Sequence, residues 1–508
     1  MVRVFRGRLG GLLLADSPNV LFIMCDQMKA TASHLYGNTF CNTPSLERLA
    51  KRGVLFKNAI TPHPLCVPAR ISTWTSQWPH GHGGRRNETL MPGDANHAFK
   101  IWKNKGYHTG LIGKNHCFKE QSDLDVFDTW CQISHRGLDD ESTKGMDWVR
   151  SVDQINAGHS VRRKMPNSSP RFSWAVTDFP LEDYSTGLVG GQTRQFLEDH
   201  QEDPFALWVS FPDPHEPWEV PRKYAEMFPR DKIKLPPWRD DEYTDGTAPE
   251  RNIALYEMMG IREDSEEDVY GVVGAYYGMI RFMDDEIGKI LETLEETGLS
   301  ENTVVVFCSD HGDFMGEHAM QCKGGVFYDC LTHVPMIVSW PSKLASDARD
   351  DSPVNLVDLV PTLFQLQGID IPASMQGRPL PTVTDSPPRV ATFSEYGSGG
   401  PLFKLSDLTK LEKPYGRKAL MRSLQWREAE GRRKMVRTRD LKYVHDSMGD
   451  LDELYDLVKD PWELTNIAAD PANRDKIAEM QLLLANWSIE TEDSPAVPLP
   501  DAEKYEVV

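Results

Sequence analysis

The sequence predicts an α/β protein with a large, mostly parallel central sheet flanked by helices and a smaller C-terminal α+β domain carrying an antiparallel sheet. Three observations predict it. Apolar runs of six or seven residues end abruptly in polar side chains, and a long segment of helical periodicity leads straight into one of those runs. Beyond about residue 375 the texture changes to clustered prolines and short strand-like segments. At 508 residues the chain also exceeds what one hydrophobic core usually supports, which adds to the expectation of two domains.

Residues 1–17 are expected to form an N-terminal extension. Met1 to Arg8 is basic and leads into Leu9 to Ala15, a loose imitation of a secretory signal. That stretch is short, is broken by Gly10 and Gly11, and meets no small-x-small cleavage site before Asp16, Ser17 and Pro18. The larger domain is expected over 18–375. Val20 to Cys25 is a continuous apolar run ending at Asp26-Gln27, which suits a strand buried on both faces of a parallel sheet. Phe205 to Phe211 leads likewise into Pro212-Asp213-Pro214-His215, and Thr303 to Cys308 into Ser309-Asp310-His311. In open α/β sheets ligands bind outside the carboxyl ends of the strands, so these three ends are expected to converge.

From Asp268 to Leu299 the apolar residues Val269, Val272, Tyr276, Met279, Ile280, Met283, Ile287, Leu291 and Leu294 recur at a spacing near 3.6. They predict a long amphipathic helix closed by Gly298, with Asp284-Asp285-Glu286 on its solvated face. The smaller domain is expected over 376–508. Its strands are predicted at Val390 to Tyr396, Ala419 to Trp426, Lys434 to Arg437 and Lys442 to His445, and a closing helix from about Pro471 to Ile489.

A formal charge of −20 argues against a nucleic-acid partner, because phosphate neutralisation needs a basic surface. No apolar run is long enough to cross a bilayer, so no membrane partner is expected. Eight cysteines without short regular spacings predict mostly reduced thiols, and a cytoplasmic location is expected with the periplasm as the alternative.

One cysteine stands apart. Cys25 and Cys308 lie inside apolar runs, whereas Cys66 lies in Cys66-Val67-Pro68-Ala69-Arg70, among prolines and near an arginine. Pro68 suits the first turn of a helix, and Ile71, Trp74 and Trp78 follow at helical spacing, so Cys66 is predicted at a helix N-terminus. Backbone N–H groups and the helix dipole would there favour negative charge, and Arg70 would add a guanidinium one turn on. Asp26, Gln27, Asp310 and His311 offer donors for one divalent cation. The oxygens favour Ca²⁺ or Mg²⁺, and the imidazole shifts preference toward Mn²⁺. Taken alone, Asp26 reads equally as a helix cap. Gly106 to His116 reads as a turn, a short strand and a polar end carrying Lys114 and His116.

The Cys66 to Arg70 segment resembles the signature of the sulfatases, formylglycine-dependent members of the alkaline phosphatase superfamily. Asn19 to Gln27, Gly106 to His116, Phe211 to His215, Ser309 to Gly312 and Lys323-Gly324-Gly325 are similar to further segments of that family. The resemblance implies that a dedicated maturation enzyme oxidises Cys66 to formylglycine, whose geminal diol attacks the sulfur of a small-molecule sulfate ester and displaces the alcohol. It assigns the catalytic set to Cys66, Arg70, Lys114, His116, His215 and Lys323, with His116 as second-step base and His215 and Lys323 near the leaving group. Asp26, Gln27, Asp310 and His311, joined by Cys66, would hold the metal.

Many arylsulfatases carry Asp-Asp and Asp-Asn where this chain has Asp26-Gln27 and Asp310-His311, a pairing that resembles choline sulfatases and phosphonate monoester hydrolases. Hydrolysis of alkyl or aryl sulfates is therefore the first expectation and hydrolysis of phosphonate monoesters or phosphodiesters the alternative. A third is a silent anion-binding protein in which Cys66 stays a thiol. Within the resembling loop Gly312 to His318, His318 is expected to be structural. Glu395 and Tyr396 could meet a cationic alcohol. The sequence leaves room for a homo-oligomer.

Overall fold

The computed structural model describes residues 17–492 apart from 88, 119–120, 135–136, 139–162, 165–172, 398–405 and 407–431. Its first strands are β1 (Asn19–Cys25), β2 (Gly53–Ile60), β3 (His108–Gly113), β4 (Thr129–Ser134), β5 (Gly137–Leu138), β6 (Arg163–Lys164), β7 (Ser173–Thr177) and β8 (Phe205–Phe211). They are followed by β9 (Trp218–Pro221), β10 (Thr303–Ser309), β11 (Met336–Ser339), β12 (Ala348–Asn355), β13 (Thr392–Tyr396), β14 (Arg433–Arg437), β15 (Leu441–Asp446) and β16 (Glu453–Asp456). The main sheet has nine strands in the order β12-β2-β11-β10-β1-β8-β3-β4-β5, and β13-β14-β15-β16 and β6-β7-β9 form two smaller sheets. β1 runs parallel to both β10 and β8, β3 to both β8 and β4, and β12 to β2. β11 is antiparallel to its two neighbours, as is β5 to β4, and β13 to β16 are antiparallel throughout. The architecture is the predicted one.

The central strands are apolar on both sides because both faces of the sheet are covered. In β1, Leu21, Ile23 and Cys25 enter one core with the helices Ser185–Asp199 and Glu266–Glu296. Val20, Phe22 and Met24 enter the other, with the helices Cys66–Thr75, Ala98–Asn104 and Leu359–Gln367. β10 divides in the same way, Val305 and Phe307 against Val304, Val306 and Cys308. Alternation of side chains about a pleated strand thus spends every residue on a core.

The long predicted helix spans Glu266–Glu296, and Gly298 follows it at φ +74. Its acidic triplet is not on a solvated face. The Asp284 carboxylate is buried and accepts the backbone N–H groups of Ser45 and Leu46 at 3.0 and 2.9 Å, capping the neighbouring helix Pro44–Ala50. Glu286 is buried against Arg194 and Lys289. The helix that Cys66 opens stops at Thr75 because Ser76 turns left-handed at φ 53, so Trp78 lies outside it. The predicted strand at Ala419 to Trp426 and residues 1–16 fall outside the described residues. Among those described, no helix is long and apolar enough to cross a membrane.

The four-stranded sheet is packed on both faces. Phe393, Val436, Tyr443 and Leu454 meet Met480, Leu484 and Trp487 of the C-terminal helix Arg474–Glu490, together with Trp78. On the other face Tyr396, Met435 and Val444 meet Ile60, Leu65 and Phe327. Leu65 immediately precedes Cys66, so this second face supports the loop that leads to it.

Candidate active site

Strand register brings distant residues to one edge of the main sheet. Cys25 pairs with both Ser309 and Phe211, and Gly113 pairs with Ser210, so Asp26, Asp310, Pro212 and Lys114 emerge side by side. Gly113 has φ +109, and a Cβ there would stand 1.9 Å from the Ser210 carbonyl oxygen. Only glycine fits this turn, which lets the Lys114 N–H donate to that same carbonyl at 2.8 Å.

Cys66 opens its helix, as predicted, but the amides behind it are largely taken. Val67 N–H donates to Asn87 Oδ1 at 3.1 Å, Pro68 has no N–H, and Ala69 N–H donates to the Leu65 carbonyl at 3.2 Å. Negative charge at Cys66 is met by side chains instead. Lys323 Nζ lies 3.3 Å and His311 Nε2 3.0 Å from Sγ. Burial pushes this thiol up, yet Lys323, Lys114 and His311, with a hydrogen bond from His116, hold it well below the ordinary cysteine value. Burial pushes up Cys25, Cys41, Cys117, Cys131, Cys308 and Cys330, and there it outweighs the nearby cations, such as Arg70 at Cys25 and Lys29 at Cys330. All eight cysteines are free thiols.

Arg70 lies beneath the site and bridges its carboxylates. Nε donates to Asp310 Oδ2 at 2.8 Å, Nη2 to Asp26 Oδ2 at 3.0 Å, and Nη1 to Ser210 Oγ at 2.8 Å. Lys114 Nζ also donates to Asp26 Oδ2. Burial and the Cys66 thiolate work against the Asp26 anion, but Lys114, His215 and Arg70 hold its carboxyl well below the usual range. Asp26, Cys66, Asp310 and His311 present donor atoms within 4.8 Å of one another, all buried. His311 Nδ1 faces the Gly312 carbonyl at 2.8 Å and must carry a proton there, so Nε2, the nitrogen that bonds Cys66 Sγ, is the one a cation would engage in its place. Two carboxylates, an imidazole and the adjacent Gln27 amide fit a divalent cation. His116 sits at the mouth. Desolvation and then Lys114 hold its imidazole below the usual value.

A family model described as Sulfatase matches residues 18–369 of the chain. The chain belongs to the sulfatase family, whose members are sulfuric ester hydrolases. Among its relatives it is 28% identical to an arylsulfatase of Clostridium perfringens over 494 residues, covering 92% of this chain and 93% of that protein. It is 26% identical to a choline-sulfatase of Rhizobium meliloti over 508 residues, covering 95% and 89%. A phosphonate monoester hydrolase from Silicibacter pomeroyi shares the fold with a TM-score of 0.74 at 22% identity, covering 93% of this chain and 96% of that one.

In this sulfatase-family site two further carboxylates surround Gln27. Its Nε2 donates to Glu216 Oε2 at 3.0 Å and to Asp313, while its Oε1 accepts from Lys323 Nζ. Both amide hydrogens are thereby used, and the amide oxygen faces the lysine. Neither Glu216 nor Asp313 is singled out by the sequence, although each adjoins a strand-end histidine segment, which is the available signal. Burial, with Glu216 adding to it, raises the Asp313 carboxyl to about 7. His215 Nδ1 lies 2.6 Å from the Glu216 carbonyl. His318 is packed away from this cluster, against Glu242 and stacked on Tyr328 at 3.6 Å between ring centroids. Glu395 is not available to a cationic alcohol: it accepts the backbone N–H and ring of His80 and lies 3.7 Å from Lys434 Nζ.

Proposed function

We propose that this chain hydrolyses sulfate monoesters with a formylglycine made from Cys66 and one divalent cation held by Asp26, Gln27, Asp310 and His311, with residue 66 completing the set. The observation that carries this reading is the convergence of Lys323 and His311 on Cys66 Sγ, with Asp26 Oδ1 3.7 Å from the same atom. A hydrated aldehyde at position 66 would supply the attacking oxygen and a second hydroxyl, and the cation would supply Lewis-acid polarisation of the bound sulfate.

The remaining work falls to side chains. Lys114 and Lys323 hold the negative oxygens of the sulfate, where fixed charges in a dry pocket act more strongly than in water. His215 and Lys323 face the ester oxygen and pass a proton to the departing alcohol. His116 takes the proton released as sulfate leaves, and one water is consumed for each ester cleaved. Arg70 touches no substrate atom in this scheme and keeps Asp26 and Asp310 in place.

A second reading, hydrolysis of phosphonate monoesters or phosphodiesters, is favoured by the Gln27 and His311 pair. Such esters resemble a sulfate monoester in presenting a single negative charge on a tetrahedral centre, so the same clamps suit them. Protein produced with a formylglycine-generating enzyme decides between the readings. Peptide mass spectrometry should find Cys66 converted, 4-nitrophenyl sulfate should be cleaved faster than a phenyl phosphonate ester, and Cys66→Ala should abolish both activities. Faster phosphonate cleavage would overturn the sulfate assignment, and unconverted Cys66 in active protein would overturn the nucleophile.

A further inference from the structure

Gln27 is held at every polar atom. Its backbone N–H donates to Asp310 Oδ1 at 3.1 Å, its amide nitrogen donates to Glu216 and Asp313, and its amide oxygen accepts from Lys323. The remaining atom, the backbone carbonyl oxygen, accepts from the Tyr276 hydroxyl at 3.0 Å. Tyr276 stands within the helix Glu266–Glu296, where the 3.6-residue period marks it as one position of an apolar stripe. Its hydroxyl is used twice, because it also accepts the Lys29 N–H at 3.1 Å. It thus bridges a carbonyl and the N–H two residues on, the pair that a γ-turn would join directly.

The turn needs such an anchor. Gln27 has φ 71, in the left-handed region that a side chain with a Cβ enters only at a cost, and a backbone of this kind persists where its surroundings hold it. Asp26 N–H donates to the Asp213 carbonyl at 3.3 Å and Met28 N–H to Ser309 Oγ at 2.9 Å. Those two anchors, with Asp310, lie at or just beyond the carboxyl ends of β8 and β10. Tyr276 instead comes from the helix packed on the sheet and ties the turn to a second layer. Gln27, Lys29 and Tyr276 are all buried, so loss of the hydroxyl would strand the Gln27 carbonyl and the Lys29 N–H away from water. Residue 27 would then gain by leaving the left-handed region, and its side chain would turn away from Asp310 and His311, which hang from another strand.

We propose that Tyr276 is a positioning residue for the cation site, its hydroxyl holding Gln27 in the left-handed conformation that presents the amide oxygen as a ligand. The inference rests on the cation reading above and adds a determinant of affinity that touches neither the cation nor the ester.

The experiment titrates the metal-stripped full chain with Mn²⁺ and with Ca²⁺ by calorimetry, beside Tyr276→Phe and Tyr277→Phe. Tyr277→Phe is the matched control, since that hydroxyl is on the same helix, is buried, and accepts from Asn38 Nδ2 at 3.3 Å. Circular dichroism and melting temperatures establish that all three proteins are folded at the temperature of titration. Tyr276→Phe should bind both ions about 10–100-fold more weakly, as for partners one step behind a metal ligand, while Tyr277→Phe keeps the natural affinity. Hydrogen exchange of the natural chain is a second measurement that needs no variant: by linkage, the ion should slow exchange of the Lys29 amide. Unchanged affinity in Tyr276→Phe, an equal loss in Tyr277→Phe, or a Lys29 amide indifferent to the ion would overturn the inference. A natural chain that binds neither ion sinks the cation reading, and the inference falls with it. A natural chain that binds them while Tyr276→Phe binds equally well sinks the inference alone.

Discussion

Lys323 and Cys66 are in direct contact, Nζ to Sγ at 3.3 Å, while the same ammonium donates to Gln27. Burial alone would lower the Lys323 pKa, but the charges of Cys66, Glu216 and Asp26 hold it above its ordinary value, so it stands as a cation in the resting site. Lys323→Ala should lower kcat by about 10²–10³-fold, the range seen when one preorganised donor to a developing charge is removed. Steady-state kinetics on protein with confirmed conversion of Cys66 checks this; a loss confined to KM would contradict it.

Arg70→Met leaves Asp26 and Asp310 buried without their shared guanidinium. Removing one member of a buried ionic cluster costs about 3–5 kcal/mol. Denaturant unfolding in the presence of a chelator should show that loss, and added Ca²⁺ or Mn²⁺ should restore part of it by neutralising the two carboxylates.

Asp313→Asn disturbs one of the two acceptors that orient the Gln27 amide. Partners one step behind a metal ligand typically matter 10–100-fold in affinity. Titration calorimetry with Mn²⁺ and with Ca²⁺ should show a loss of about that size; unchanged affinity for both ions would mean that Gln27 needs no such support.

Burial raises the Asp284 carboxyl to about 6, from an ordinary value of 3.8. The folded state then binds this proton more tightly than the unfolded chain, so its contribution declines as pH rises from about 4 to about 6. Asp284→Asn removes that dependence, keeping an acceptor oxygen for one of the two amides of Ser45 and Leu46 and losing the other bond at every pH. The stability of the variant relative to the natural chain should therefore rise by about 2–4 kcal/mol between pH 4 and pH 7. Unfolding curves at both pH values test the sign.

The strands β1, β8 and β10 are legible in the sequence because burial on both faces makes them continuous apolar runs ending in polar residues. The long helix is legible from its period. β12 is not, since Ala348-Arg349-Asp350-Asp351-Ser352-Pro353-Val354-Asn355 is an edge strand with few side chains in the core. Asp284 and Glu286 were expected in solvent because periodicity records which face is apolar, not whether a neighbouring helix end or an arginine waits for a carboxylate. In the site, the residues at strand ends are readable one by one. The commitment of Arg70 to both carboxylates, of Glu216 and Asp313 to Gln27, and of Glu395 to His80 depends on chain crossings that no local pattern encodes.

The face of the small sheet that supports the loop before Cys66 also sets a timetable. Tyr396, Met435 and Val444, which pack against Leu65, are synthesised more than 300 residues after it. At roughly 5–20 residues per second of translation, that separation is about 15–65 s in which the cysteine has emerged and its cover does not yet exist. An enzyme that must reach a thiol which ends up sealed inside the finished protein has that interval on the ribosome, and an accelerated chain would shorten it.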